Sequence, residues 1–216
     1  MKPLLVATTN PAKLDEYRLL LRDYGLAPVS LREVGVDDHA PEETAATFTG
    51  NALLKARFYF ARANLPTIAD DGGLVVDALD GAPGVHSHRW LDGGGAAAAN
   101  VRHGDLDRAL AEEVIRRMAG VEPARRGARL RAATALVYHE HGRIHERVSE
   151  AALEGVIADR VWPRMREGFP YRAVLILPDR GCYLGELSDE DAARFSQRRA
   201  ALEGLRADLL QLAGPQ

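Results

Sequence analysis

The apolar run Leu4 to Ala7 is followed at once by the polar Thr8-Thr9-Asn10, and then by a stretch in which Leu14, Tyr17, Leu20 and Leu21 recur at helical spacing. Such a run is too short for a helix and too apolar for an exposed loop, so it predicts a short buried strand. The recurring positions predict an amphipathic helix that Gly25 stops. A strand handing directly to a helix is a β-turn-α unit, which draws the chain toward an α/β architecture.

Further elements follow in the same mixed order. A second helix is expected from about Thr47 to Ala63, with Leu53, Ala56 and Phe60 on one face and Asn51 and Lys55, one turn apart, on another. Pro66 resets the chain into a strand over Thr67 to Ala69. "LDGGGAAAAN", around Gly93 to Gly95, predicts a flexible surface loop, and Leu106 to Met118 a further helix. "LRAATALVYHE" and "RIHERVSEAALEGVI", separated by "HGR", predict an antiparallel hairpin, and "RAVLILP" the last strand. Ser188 is a suitable N-cap, with three acids in the turn after it, for one long C-terminal helix. No internal repeat and no linker divides the chain, so residues 1–216 are expected to form a single α/β domain with a long, partly antiparallel sheet.

The 216 residues carry 28 basic and 31 acidic side chains, a net charge of −3. That balance offers no broad basic footprint for nucleic acid or an anionic membrane, so a phosphate-bearing partner has to be held locally. Cys182 is the only cysteine, which excludes an intrachain disulfide and points to a reducing compartment. Leu4 to Ala7 is far too short for a signal sequence or membrane span, and the expected location is the cytoplasm.

Three segments carry residue types suited to phosphate chemistry. In "TTNPAK", Thr8 to Lys13, the backbone N–H groups of a helix start, the hydroxyls of Thr8 and Thr9, Asn10 and Lys13 can all face one anion. The Walker A spacing is absent, and the alternative is that Thr8, Thr9 and Asn10 only cap the helix while Lys13 is solvated. "PEETAATFTGNALLKA" sets Glu42 and Glu43 just before the helix that bears Asn51 and Lys55, with a solvated charged loop as the alternative. In "TIADDGGLVVDALDGAPGVHSHR", Asp70 and Asp71 end an apolar run and are followed by Gly72 and Gly73, which leave room for close approach of a ligand's phosphates. The acid pair is either solvated, bonded to its own turn, or holding a cation such as Mg²⁺, which favours hard oxygen ligands. His86 and His88 lie two apart with no cysteine nearby and do not form a zinc pattern.

Taken together and in this order, the three segments resemble the inosine triphosphate pyrophosphatase family. The resemblance is strong over roughly the first 90 residues and continues through "GFPYRAVLILP" and "ELSDEDAARFSQRRAAL". It implies an elongated α/β molecule with a long mixed sheet, flanking helices and two lobes around a nucleotide cleft, usually a homodimer. The implied activity is Mg²⁺-dependent cleavage of a nucleoside triphosphate, such as a deaminated purine triphosphate, to the monophosphate and pyrophosphate. Carried onto this chain, the triphosphate lies on Thr8, Thr9, Asn10 and Lys13, with Asn51 beside it and Lys55 as a second cation. Glu43 and Asp71 hold the metal, supported by Asp70, and Asp71 orients or deprotonates the attacking water.

The C-terminal half departs from the family pattern. "FPYRA" places Pro170, Arg172 and Ala173 where the family usually has Gly, an acid and Pro. "DAARFSQRR" places Ala192 for a lysine and Gln197 for a histidine while keeping Ser196 and Arg198; Gly72 stands in for a serine. In the family these positions mainly surround the base. Lost donors weaken discrimination among bases, and Arg172 reverses the local charge, whereas Phe169 and Tyr171 remain as a stacking surface. The expectation is an intact pyrophosphohydrolase centre with a changed or relaxed base pocket. The alternatives are a catalytically weak nucleotide-binding or regulatory homodimer of the same fold, and hydrolysis of another phosphoanhydride.

Overall fold

The computed structural model describes residues 1–36, 39–92 and 103–214. Its opening strand β1 (Lys2–Val6) pairs in parallel with β2 (Leu26–Val29) on one side, Lys2 opposite Leu26, and with β3 (Thr67–Val76) on the other, Leu5 opposite Thr67. The other strands are β4 (Gly127–Glu140), β5 (Arg143–Ile157), β6 (Leu175–Leu177) and β7 (Cys182–Tyr183). They complete a seven-stranded sheet in the order β2-β1-β3-β4-β5-β6-β7. β6 lies antiparallel to both β5 and β7, so the sheet is mixed. β4 and β5 form the expected hairpin: His141 and Gly142 between them both take positive φ, +49° and +74°, the backbone of a tight two-residue turn.

The helices are α1 (Pro11–Leu20), α2 (Phe48–Ala63), α3 (His103–Arg117), α4 (Asp189–Phe195), α5 (Gln197–Glu203) and α6 (Arg206–Ala213). α1 starts where expected and ends in a short 3₁₀ turn before Gly25, whose φ of +70° stops it. Thr47 caps α2, accepting the Gly50 amide.

The chain forms two compact units. The first comprises Met1–Asp71, Ala132–Ala151 and Phe195–Gln216, the second Gly72–Arg131 and Ala152–Arg194. In the first unit Leu4, Leu5, Tyr17, Leu21, Ala52, Ala56, Tyr59, Ile68 and Leu209 are buried, and Tyr17 shares a buried hydrogen bond with Thr134 on β4. In the second, Leu110, Ala111, Val114 and Met118 turn the helical stripe of α3 and the residue after it into a core with Leu74, Val76, Leu130, Ile157 and Val174. Buried Arg126 ties that core together, its guanidinium donating to the carbonyls of Met118, Val121, Ile157 and Ala158.

Four sequence expectations change. β3 does not stop at Ala69 but runs through Asp70, Asp71 and both glycines to Val76. The single C-terminal helix is three: Ser196 takes extended geometry and caps α5 by accepting the Arg198 amide, and Gly204 and Leu205 interrupt the chain again. On α2, Ala56 and Phe60 are buried as an apolar face would be while Leu53 is only half-buried, and Asn51 and Lys55, on the other face, are buried as well. The close approach beside Gly73 is made by the protein itself: a Cβ there would lie 1.9 Å from Ser87 Oγ, the hydroxyl that accepts the Leu74 amide. Strands β2 and β7 carry too few residues for a periodic signal and were not anticipated. The Gly93 to Gly95 loop lies outside the described residues.

Candidate functional site

Asp70 and Asp71 are buried, each 3% exposed, in the middle of β3. Neither is solvated and neither belongs to a turn. Successive residues of a strand point to opposite faces, so the pleat alone separates the two carboxylates and gives each its own partners.

Asp70 belongs to a buried network. Lys13 Nζ lies 3.1 Å from its Oδ2, and Arg198 Nε donates to the same oxygen at 2.9 Å; Arg198 Nη1 also donates to Glu16 Oε2 at 3.1 Å. Local sequence sets these groups up. The Asn10 side chain caps α1 by accepting the Ala12 and Lys13 amides, and Lys13, Glu16, Tyr17 and Leu20 then share its buried face. The break at Ser196 places Arg198 in the first turn of α5. Burial by itself would raise the Asp70 carboxyl, but the Lys13 ammonium and the Arg198 guanidinium outweigh it and hold Asp70 well below the usual carboxylate range. Burial pulls Lys13 down, with Arg198 and Lys55 adding repulsion against the attraction of Asp70.

Asp71 faces α2. Asn51 Nδ2 donates to Asp71 Oδ2 at 3.0 Å, while Asn51 Oδ1 accepts the Ala45 amide at 2.9 Å, so one side-chain amide pins both the acid and the loop that precedes α2. Lys55 Nζ lies 2.7 Å from Glu43 Oε1 and 3.7 Å from Asp71 Oδ1. Burial and the neighbouring Glu43 raise the Asp71 pKa against the pull of Lys55, whereas Lys55 is raised by Asp71 and Glu43 despite burial. The two acids are therefore tuned in opposite directions: Asp70 is fixed as an anion, and Asp71 is the more basic.

The other residues read from the sequence divide between the units. Thr8 is half-buried and accepts the Asn10 amide, and Thr9 is exposed beside it. Gln197 is buried next to Arg198. Gly72 lies buried in β3 at the start of the second unit. In that unit Tyr171 is part of the core and its hydroxyl donates to the Ser87 carbonyl, while the Phe169 ring carries the Arg172 guanidinium 3.8 Å above its centroid. Both rings expected to stack are buried, and Arg172 lies over one of them. Glu16 is the residue that sequence reading missed, although its place three after Lys13 on the buried stripe of α1 was a usable signal.

The Ham1 family model matches residues 4–208. The chain belongs to the Ham1 family. Over 213 residues, 99% of this chain and all of the relative, it is 38% identical to the dITP/XTP pyrophosphatase of Xanthomonas campestris pv. campestris, which agrees with the resemblance in its motifs. The solved structure of a HAM1 protein from Coxiella burnetii is similar with a TM-score of 0.77 and 30% identity, covering 98% of this chain and 100% of that one. The Staphylococcus aureus Ham1 protein is similar at 0.75 and 27%, covering 98% and 100%. The mixed seven-stranded sheet with flanking helices is the fold these Ham1 structures share.

For this Ham1 chain the fit of a metal follows from the donor set. Among the described residues no three His, Cys, Asp or Glu side chains form a metal cluster. Glu43 and Asp71 nevertheless converge on one cation, the Lys55 ammonium. Two hard carboxylates suit Mg²⁺, which is usually bound by one or two acids together with waters and substrate phosphates.

Proposed function

We propose that this Ham1 protein is a Mg²⁺-dependent nucleoside triphosphate pyrophosphohydrolase that releases the monophosphate and pyrophosphate. The observation that carries the reading is the convergence of Glu43 and Asp71 on Lys55, beside the separate Lys13–Asp70–Arg198 network. Phosphoryl transfer needs positioning and charge neutralisation more than covalent help, and buried cations beside carboxylates supply both. The name of the Xanthomonas relative supports a deaminated purine triphosphate such as dITP or XTP as the substrate class.

In this reading Thr8, Thr9, Asn10 and Lys13 bind the triphosphate and Lys55 neutralises its developing charge. Glu43 and Asp71 would hold Mg²⁺, which supplies Lewis-acid polarisation of the phosphate oxygens. Asp71, kept more basic by burial, orients the attacking water and accepts its proton. Asn51 fixes the carboxylate that does so, and Asp70 holds Lys13 in place. Arg172 and Gln197 stand where the family usually has an acid and a histidine, and base preference is changed or relaxed accordingly. The working form is a cytoplasmic homodimer.

The experiment is to incubate the protein with Mg²⁺ and a panel of ordinary, deaminated and modified nucleoside triphosphates, quantifying pyrophosphate and monophosphate for each. Turnover with both products supports the reading and the best substrate names the base. Clean preference for inosine triphosphate over every ordinary nucleotide would remove the altered-pocket part. Binding without turnover across the panel would leave a nucleotide-binding protein.

A further inference from the structure

Only three of the 28 basic side chains are lysines, Lys2, Lys13 and Lys55, and the last two are buried beside the acids of the candidate site. In the same unit Arg198 spreads its guanidinium over Asp70 and Glu16 through two different nitrogens. An ammonium is instead a compact point charge on a flexible stem, and it can leave an oxygen without dismantling a fork of bonds. Lysine therefore suits a cation that has to move.

The oxygens that face Lys55 are those a metal held by the acid pair would draw on. Asn51 Nδ2 donates to Asp71 Oδ2, and the other oxygen of that carboxylate, Oδ1, lies 3.7 Å from Lys55 Nζ. Glu43 Oε1 lies 2.7 Å from the same nitrogen. A divalent cation drawn to Glu43 and Asp71 together would share Oε1 and Oδ1 with the ammonium. Two cations a few ångströms apart repel by many times RT at the effective dielectric of a protein site, so the pair of acids holds one of them closely at a time.

We propose that the Lys55 ammonium and the divalent cation compete for Glu43 and Asp71, and that binding of the metal releases Lys55 to an incoming phosphate. The proposal rests on the reading in which Glu43 and Asp71 take the metal. It explains how one lysine serves both the acid pair and the triphosphate. An arginine at this position would grip a carboxylate with two parallel bonds and yield less readily, and a neutral side chain would not compete at all.

The test measures Mn²⁺ binding to the full chain without nucleotide, by the electron paramagnetic resonance signal of the free ion. Lys55→Gln should tighten binding at least about tenfold, since a unit charge a few ångströms from the metal is removed. Lys55→Arg should weaken it, and Glu43→Gln should weaken it in either background. A lysine that merely holds the two acids in place would give the opposite sign in Lys55→Gln, and that result, or an unchanged affinity, would overturn the proposal. Affinity unmoved by Glu43→Gln would place the metal elsewhere and overturn it too.

A second measurement needs no substitution. With the lysine Cε carbons labelled, wild-type protein gives three signals, and saturation with Mg²⁺ should move that of Lys55 while exposed Lys2 stays still. A stationary Lys55 signal would count against the exchange. Tightening in Lys55→Gln with no turnover of any nucleotide would keep the competition and remove the hydrolytic reading; turnover by the wild type with metal affinity unchanged in Lys55→Gln would do the reverse.

Discussion

Arg198 Nε donates to Asp70 Oδ2 at 2.9 Å, joining two buried side chains 128 positions apart in the chain. The same guanidinium holds Glu16, so one cation neutralises two buried carboxylates. Its removal takes that cation from both Glu16 and Asp70. Arg198→Met should cost about 3–5 kcal/mol of unfolding free energy, the range for breaking a buried ion pair from one side. Urea denaturation of the two proteins measures it; a loss under about 1 kcal/mol, the level of an exposed pair, would contradict the network.

Asp71 differs from its neighbour because its carboxylate is raised rather than held down. Asp71→Asn keeps the shape of the side chain and removes the negative charge, so turnover of the best triphosphate should fall below detection while nucleotide binding persists in part. Parallel product assays and equilibrium binding check both halves. An active Asp71→Asn protein would move the base and metal roles elsewhere.

Gly73 has no room for a side chain. Its added Cβ would meet Ser87 Oγ at 1.9 Å and the Gly84 carbonyl at 2.8 Å. Gly73→Ala should therefore destabilise the protein by about 1–3 kcal/mol through overpacking. Combining it with Ser87→Gly relieves the hydroxyl clash, so the double variant should lose less than the sum of the two single changes. Thermal melts of all four proteins close the cycle.

On α3 the Arg116 guanidinium bonds both oxygens of Glu113 and Arg117 adds a further bond, holding the carboxyl at about 2. A folded-state pKa below the unfolded value of about 4.3 stabilises the protein above that value, and the contribution disappears as pH falls toward 2. Glu113→Gln should lower stability at pH 7 by about 0.5 kcal/mol, since the arginines are largely exposed, with the difference shrinking below pH 3. Denaturation midpoints at both pH values test the sign; a gap that widens in acid would reverse it.

Much of this architecture was legible because it is local. The β-turn-α opening, the hairpin turned at His141 and Gly142, the Thr47-capped helix and the stripe of α3 each follow from spacing within a few residues, and the structure places them close to where the pattern does. The candidate chemical residues were legible as residue types in order, and seven of them, Lys13, Asn51, Lys55, Asp70, Asp71, Gln197 and Arg198, are buried within the first unit. Less legible were the short strands β2 and β7, which draw on neighbours rather than on periodicity, and the breaks in the C-terminal helix, where the Ser196 cap competes with a continuous helical pattern.

By itself the sequence determined the α/β class, the starting points of most elements, the set of acids and cations, and membership of the Ham1 family. Only the tertiary structure decided what each charge does. The carboxylates of Asp70 and Asp71 are chemically alike and adjacent, and strand pleating turns one toward Lys13 and Arg198 and the other toward Asn51 and Lys55. A pKa depends on burial and on charges a few ångströms away, and residues as remote in the chain as Arg198 and Asp70 reach that distance only once the sheet and helices are in place.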